Sequence, residues 1–361
     1  MTCSFGRCVS DRGAGGSAGL DSVKSDKEDW MSETFAAVVI EEEDGKAVTR
    51  IKQLSLTDLP DREVLVEIAF SSLNYKDGLA VGGNKNKVAR SLPMVAGIDL
   101  AGTVVESRSS AWQAGDKVIC NGWGMSETVW GGFSKYQRVD ADWLVALPPE
   151  FSFEQAMGIG TAGYTAALCV DALERWGSLD DGGRFLVTGA AGGVGSVAVA
   201  LLAARGIDVT ASTGREETHA YLGKLGARQI VSRAELAAPG RPLQKELWTG
   251  AIDSVGSTTL ANVLAQTVYG GAVAACGLAA GMDLPATVLP HILRSVALIG
   301  VDSVMAPIEK RRGAWRRLAA DLKPELLSEI SIVEPMSAIE RLGKEILSGQ
   351  VRGRVIVDVA R

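Results

Sequence analysis

The chain has 361 residues, 47% hydrophobic and 22% charged, with a formal net charge of −6. This length exceeds what one hydrophobic core usually organises, so we expect two domains. The acidic charge argues against nucleic-acid binding, which needs a cationic face to release counterions. We also expect no membrane partner, because no apolar run is long and pure enough to cross a bilayer.

The amino-terminal segment differs in composition from the rest of the chain. Residues 1–33 are dominated by Gly, Ser and Asp and lack apolar periodicity, which predicts a disordered extension. Ordered patterning starts at Thr34, shortly after Met31, and we expect Met31 to be the native start. A secretory signal would need an apolar central region, and acidic residues fit a transit peptide poorly. A cytoplasmic location is therefore expected.

Short β-branched or alternating runs follow, separated by turn signals such as Asp44-Gly45. They predict a mostly β domain. Strands are predicted over residues 35–40, 64–70, 102–106 and 117–120.

After residue 152 the pattern changes to alternating strands and helices. This alternation predicts an α/β fold with a doubly wound parallel sheet of the Rossmann type over residues 153–307. Helices are predicted over 153–170, 194–205 and 216–225, and strands over 185–188, 207–211, 229–231, 251–255, 272–276 and 297–301.

The carboxyl-terminal part contains a cationic helix over 309–322, a helix over 338–347 and a strand over 354–359. Because this strand is remote in sequence from the parallel sheet, we expect it to return to the first domain. The β-rich domain would then comprise residues 34–152 and 308–361, interrupted by the Rossmann domain.

A glycine-rich turn lies between the strand at 185–188 and the helix at 194–205. Glycines permit a tight turn and let the backbone approach a pyrophosphate, which binds the positive helix end. The match to G-x-G-x-x-G is imperfect because Ala190 replaces the first glycine. Such turns also occur as simple connections, but these flanks favour nucleotide binding. The predicted contacts are Ala191, Gly192, Gly193, Val194 and Gly195.

The end of the second strand of this unit predicts which dinucleotide binds. NAD sites generally place Asp or Glu there, and that carboxylate would repel a 2′-phosphate. Here Asp208 falls before the strand end, where hydroxyls and a guanidinium favour NADPH. The alternative is that Arg215 is a solvated loop residue. The predicted phosphate contacts are Ser212, Thr213, Gly214, Arg215 and Arg233.

These features resemble the medium-chain dehydrogenase/reductase superfamily, on its quinone-oxidoreductase-like branch, and most closely the acryloyl-CoA reductase family. The resemblance covers residues 34–361 and implies a GroES-like catalytic domain beside the Rossmann domain. It rests on residues 72–77 (SLNYKD), 93–102 (PMVAGIDLAG), 189–195 (GAAGGVG), 274–279 (AACGLA) and 300–305 (GVDSVM).

The resemblance also implies that no metal takes part. Zinc-dependent members carry Cys at the position of Asn74 and His-Glu at Ile98-Asp99, and Asn and Ile are unsuited as ligands. The two histidines, His219 and His291, are expected to be helix-surface or interface residues.

Reduction of the conjugated double bond of acryloyl-CoA by NADPH is the activity that the resemblance implies. Tyr75 would lie beside the nicotinamide, with Asn74 and Asp77 as further catalytic candidates, although Asp77 equally suits a helix cap. Cofactor contacts from Leu278 and Ser303 are also implied. Either solvent or a side chain would protonate the α-carbon.

Two further groups of residues remain open to two interpretations. The cations of residues 310–317 either bind coenzyme A phosphates or form a solvated helix face, and we favour the face. The aromatic-rich loop either lines the acyl pocket or packs locally; its members are Trp123, Met125, Trp130 and Phe133.

Two other functions compete with this prediction. One is a quinone or enone reductase, and the other is a catalytically silent NADPH-binding redox sensor. The second is disfavoured because a binder needs only the Rossmann domain, yet residues 74–77 are retained. A homodimer is expected because dimers are common on this fold.

Overall fold

The structure is a computed structural model that describes residues 34–179 and 182–361. The predicted extension and the start at Met31 lie outside the described residues.

Residues 34–149 form antiparallel strands of two to ten residues and one short α-helix, in agreement with the predicted mostly β domain. β1 pairs along its full length with β2, and its middle pairs with β4. The sequence analysis missed β2, because its polar sequence leaves most of its side chains exposed or half-buried. The elements are β1 (Thr34–Glu43), β2 (Lys46–Ser55), β3 (Val64–Leu73), α1 (Tyr75–Val81), β4 (Met94–Val95), β5 (Asp99–Ser107), β6 (Lys117–Asn121), β7 (Tyr136–Val139) and β8 (Val145–Ala146).

A long helix, α2 (Phe153–Trp176), connects the two halves of the fold. Its side chains share one core with Ile119 of β6 and with Phe185 and Val187 of the parallel sheet. Gly160 breaks the helical geometry with φ 51° and ψ −163°. This conformation is essentially restricted to glycine.

In length and apolarity α2 also meets the requirement for crossing a membrane, alone among the described helices. The expectation that no run approaches this requirement is therefore wrong. Within the fold, 94% of its most apolar window is buried, as in the core helix of a globular protein.

The second half contains the predicted parallel sheet, with strand order β11-β10-β9-β12-β13-β14. This order matches two mononucleotide-binding halves of a Rossmann fold, which confirms the prediction. The elements are β9 (Arg184–Val187), α3 (Gly193–Ala204), β10 (Asp208–Thr213), α4 (His219–Lys224), β11 (Gln229–Ser232), α5 (Arg233–Ala237), β12 (Trp248–Asp253), α6 (Ser257–Gln266), β13 (Thr267–Ala275), α7 (Leu289–Arg294) and β14 (Ala297–Gly300).

The carboxyl-terminal strand returns to the first sheet, as predicted. It pairs antiparallel with β3, with Val355 opposite Leu73, and completes the sheet β15-β16-β3-β5-β6-β8, with β7 also on β3. The last elements are α8 (Ile308–Asp321), α9 (Pro324–Ile330), β15 (Ser331–Pro335), α10 (Ile339–Leu347) and β16 (Arg354–Asp358).

Candidate active site

The carboxylate of Asp99, the first residue of β5, is fully buried and accepts several hydrogen bonds. The donors are Ser72 Oγ at 2.5 Å, Asn74 Nδ2 at 2.9 Å, Asn121 Nδ2 at 2.6 Å and the N–H of Thr161 at 2.9 Å. Burying a carboxylate is costly unless donors replace water. Asp99 thus joins the ends of β3 and β6 to the kink of α2. The sequence analysis missed this role, since the donors are remote in sequence.

Arg354, the first residue of β16, reaches the same cluster and is only 3% exposed. Its Nη1 donates to Leu73 O at 3.0 Å and to Asn74 Oδ1 at 3.2 Å. Its Nη2 donates to Ser72 Oγ at 2.7 Å, and its Nε donates to Gly158 O at 3.3 Å. The guanidinium is therefore surrounded by acceptors. Nothing in the sequence of β16 distinguishes this arginine from a surface residue.

The predicted catalytic segment begins immediately after these contacts. Asn74 is the buried N-cap of α1, and Tyr75 is the first helical residue, with a side chain 43% exposed. Asp77 is fully buried and accepts hydrogen bonds from the N–H groups of Asn74 at 2.8 Å and Ile98 at 3.0 Å. Of the three candidates, only Tyr75 is open to solvent, and Asp77 has the contacts of a helix-capping acid.

The environment of Asp77 changes its ionisation. Burial, followed by repulsion from Asp99, raises the pKa of Asp77 from 3.8 to about 7, and the hydrogen bonds from Asn74 and Ile98 oppose this rise. The Asp77 carboxyl therefore keeps its proton to a higher pH than an exposed aspartate does.

The glycine-rich turn stands at the amino terminus of α3. A Cβ on Gly195 would lie 2.4 Å from Gly189 O, so the tight turn requires glycine there. A Cβ on Gly192 would meet only Gly189 O, at 3.3 Å, and no side chain lies within 4 Å of that position. The first turn of α3 contains no acid, and its N–H groups have no intrahelical acceptors. These features fit a bound pyrophosphate.

The end of β10 has the expected composition but an unexpected arrangement of its arginines. Arg215 Nη1 donates to Gly349 O at 3.1 Å, and Arg215 Nη2 donates to Val351 O at 3.3 Å. The guanidinium of Arg233 instead lies 3.0 Å from the position of a Cβ on Gly214, and Arg233 is exposed. Arg233 is therefore the more available cation at this strand end.

The two hydroxyl residues at the end of β10 are less accessible than the arginines, and the acid of this strand lies at its other end. Ser212 and Thr213 are buried, and Thr213 Oγ1 accepts the N–H of Arg215 at 3.2 Å. Asp208 begins β10 and lies 3.6 Å from Arg184, far from the strand end.

Leu278 and Ser303 follow β13 and β14, respectively. Leu278 is 58% exposed, whereas Ser303 is half-buried and its carbonyl accepts Arg311 Nη2 at 3.4 Å. Because the strands are parallel, both residues lie at the same sheet edge as the glycine-rich turn, where ligands of such sheets bind.

Neither a coenzyme A phosphate site nor a solvated face describes all the cations of helix α8. Arg311 is 1% exposed and donates to Ala306 O at 2.8 Å and to Val304 O at 2.6 Å. Arg317 forms ion pairs with Asp171 and Glu174. The interpretation of a solvated face is therefore wrong for Arg311. Because its guanidinium already donates to backbone carbonyls, Arg311 has no role in binding coenzyme A phosphates.

The aromatic-rich loop contains two residues that are buried in the core and one tryptophan that stacks against an arginine. Met125 and Phe133 are fully buried in the core, whereas Trp130 is half-buried. Trp123 adopts φ 54°, and the guanidinium of Arg311 stacks on its ring at 4.0 Å. Only Trp123 and Trp130 therefore remain as candidates for an acyl pocket.

The residues at the implied zinc positions do not suit a metal ion. Asn74 directs its amide N–H groups at carboxylates, Ile98 is apolar, and the oxygens of Asp99 already accept several donors. Within residues 34–179 and 182–361, no group of three or more His, Cys, Asp or Glu is arranged for a metal. His219 is exposed at the start of α4, and His291 Nδ1 lies 2.7 Å from Val296 O.

Comparison with known families identifies both halves of the chain. Residues 60–149 match the alcohol dehydrogenase GroES-like domain, and residues 193–320 match the zinc-binding dehydrogenase family.

Individual relatives align over nearly their whole length. Acrylyl-CoA reductase AcuI of Ruegeria pomeroyi is 52% identical, covering 90% of this chain and 99% of the relative. An oxidoreductase of Salmonella enterica, solved in complex with NADP, is 50% identical with a TM-score of 0.87, covering 90% of this chain and 99% of the other. A Bacillus subtilis protein solved with NAD bound is 43% identical with a TM-score of 0.87, covering 91% and 100%.

Proposed function

Because this chain belongs to the acrylyl-CoA reductase family of medium-chain dehydrogenases and reductases, we propose that it reduces acryloyl-CoA to propanoyl-CoA with NADPH. The observation that carries the proposal is the 52% identity over 99% of the Ruegeria pomeroyi reductase. The reaction consumes one NADPH and one proton and releases NADP⁺. The conjugated carbonyl makes the β-carbon electrophilic without a metal.

NADPH is the cofactor. The turn at Gly192–Gly195 suits the pyrophosphate, and Arg233 above Gly214 suits the 2′-phosphate. The end of β10 lacks the carboxylate that would bind a free ribose hydroxyl. The relative from Salmonella enterica was solved with NADP, and the relative from Bacillus subtilis with NAD. Because relatives with the same fold were solved with either cofactor, the preference for NADPH over NADH depends on the residues at the end of β10.

The bound cofactor supplies a hydride to the β-carbon of the substrate. The exposed phenol of Tyr75 would donate a hydrogen bond to the cofactor or to the substrate oxygen on which negative charge develops. Asn74 fixes the start of α1, and Asp77 secures that cap. The exposed Leu278 and the strand-end residue Ser303 complete the cofactor contacts.

A direct assay tests this proposal. NADPH oxidation would be followed with acryloyl-CoA, longer 2-enoyl-CoA thioesters and a small quinone, with NADH in parallel and the product identified. We expect the highest kcat/KM with acryloyl-CoA and NADPH. Turnover of the quinone alone would refute the proposal, and so would tight NADPH binding without turnover of any acceptor.

Dimerisation through the edge of the parallel sheet is part of the proposal. β14 is an edge strand. Several exposed apolar side chains belong to β14 or to the segment that precedes it in the chain. Apolar surface of this kind is typical of an interface. These side chains are Met282, Leu284, Val288, Ile292, Leu293 and Leu298. Light scattering should give twice the chain mass, and Ile292→Glu should lower it.

The domain division and the location are proposed on simpler grounds. A catalytic domain of residues 34–152 and 308–361 and a cofactor domain of residues 153–307 agree with the membership of the two large sheets. A cytoplasmic location is proposed from the composition of the chain as a whole.

A further inference from the structure

Arg354 joins two segments that the proposed reaction needs together. Its Cδ lies 2.9 Å from the position of a Cβ on Gly193, in the turn that suits the pyrophosphate. The preceding residue, Gly353, donates its N–H to Ala191 O at 2.9 Å in the same turn. The start of β16 is therefore packed directly against the cofactor turn.

The guanidinium end of Arg354 holds the other segment. It bonds Ser72 Oγ, Leu73 O and Asn74 Oδ1, which are the three residues that precede Tyr75. These three residues are buried, whereas Tyr75 itself is exposed to solvent. One side chain thus spans the distance between the cofactor turn and the N-cap of the helix that carries Tyr75.

We propose that Arg354 is a positioning residue that fixes Tyr75 relative to the bound nicotinamide by tying the cap of α1 to the cofactor turn. This inference rests on the proposed function. A flexible or displaced cap would let Tyr75 move while the phosphates remain bound, so the chemical step would suffer more than cofactor binding. Small displacements of this kind are costly to catalysis.

The test compares Arg354→Lys with wild type. Lysine keeps a cation near Asp99 but lacks the planar fork that reaches several acceptors at once. We expect kcat per bound NADPH to fall at least about tenfold, while the Kd for NADPH changes less than about threefold. NADPH fluorescence gives both the Kd and the number of occupied sites. The matched control is Arg361→Lys, at an exposed arginine near Asp358, and it should leave both quantities unchanged.

A milder variant keeps the inference testable if Arg354→Lys does not fold. Ser72→Ala removes one acceptor of Arg354 and one donor to Asp99. It should lower kcat about threefold to fivefold, with the Kd for NADPH unchanged. In the double variant the two losses should not multiply, because both changes act on one network.

The outcomes separate the inference from the proposed function. A purely structural role would lower the melting temperature and the number of occupied sites, yet leave kcat per occupied site within twofold, and that result would overturn the inference. A loss of kcat that only parallels the loss of NADPH binding would overturn it as well. If wild type ignores acryloyl-CoA, the proposed function fails, and the same comparison is made with the acceptor that is reduced.

Discussion

The guanidinium of Arg354 lies 3.9 Å from Oδ2 of Asp99, and both side chains are almost fully buried. Ser72 Oγ lies between them, since it donates to Asp99 and accepts from Arg354. Removing one partner of such a pair leaves an uncompensated buried charge, which is much more costly than losing a surface pair. The strands and helices that meet at this pair are therefore held in one arrangement.

Gly160 should be intolerant of a side chain because of this pair. A Cβ there would lie 2.4 Å from Arg354 Nη2 and 2.9 Å from Asp99 Oδ2. Gly206, which also has a positive φ, has nothing within 4 Å of its Cβ position. We expect Gly206→Ala to cost about 1–2 kcal/mol for the left-handed conformation alone, and Gly160→Ala to cost at least about 2 kcal/mol more from overpacking. Urea unfolding of both variants measures the difference, and equal losses would contradict the prediction.

Asp77 should make stability depend on pH near neutrality. Its folded pKa of about 7 lies above the ordinary 3.8, so the folded protein holds this proton more tightly. The resulting stabilisation is complete below the ordinary pKa and is lost as the pH rises through about 7. The Tm of wild type should therefore decline over this window.

Asp77→Asn should flatten this decline in Tm with pH. It should also lower the Tm at every pH, because an amide has only one oxygen and cannot accept the N–H groups of both Asn74 and Ile98 in the way that a carboxyl group does. Asp44→Asn, at an exposed turn, is the control and should keep the wild-type slope. Scanning calorimetry between about pH 5 and pH 8 gives the slopes. A decline as steep as in wild type for Asp77→Asn would disprove the assignment.

Cofactor preference should depend on Arg233 and Arg215 together. Arg233→Glu places a carboxylate beside Gly214 and should weaken NADPH about 10–100-fold, with a much smaller effect on NADH. Arg215→Glu should also weaken NADPH more than NADH, but with a loss of stability because its bonds to Gly349 and Val351 disappear. The control is Arg241→Glu at an exposed arginine. Fluorescence titration with both cofactors decides, and equal losses for the two would refute the phosphate site.

Tyr75→Phe should lower kcat/KM for acryloyl-CoA about fivefold to tenfold, the usual value of one hydrogen bond. The side chain is exposed, so folding should not change. Stopped-flow measurement of the hydride step and of product formation separates two roles. A loss of about a hundredfold or more would identify the phenol as the proton donor. Unchanged turnover would show that water delivers the proton.

Arg311 should matter for stability and not for substrate affinity. Arg311→Met leaves the carbonyl of Ala306 without its donor, removes one of the two donors to Val304 O, and should cost roughly 2–4 kcal/mol. Arg312→Met breaks an exposed pair with Glu309 and should cost less than about 1 kcal/mol. An increase in the KM for acryloyl-CoA with unchanged stability of Arg311→Met would restore a role in binding coenzyme A.

Several features followed from the sequence because their signals are local. The strand-turn-helix pattern at residues 185–205 predicted the nucleotide turn. Short β-branched or alternating runs predicted most strands of the first domain, and the alternation of strands and helices predicted those of the parallel sheet. The strand β2 was missed because none of its residues is fully buried, so burial left no pattern in the sequence. Arg311 was misread because a charged residue on a helix usually faces water.

The sequence by itself determined the order of the elements, the glycines of the cofactor turn and the exchange of zinc ligands for Asn74 and Ile98. Only the tertiary structure brought Asp99, Asn121, Thr161 and Arg354 together, and only it showed that Arg215 is engaged while Arg233 is available. The physical reason is that propensity and periodicity act over a few residues. Burial of a charge, in contrast, depends on partners such as Ser72 and Arg354, which are 282 positions apart and meet only when the chain has folded.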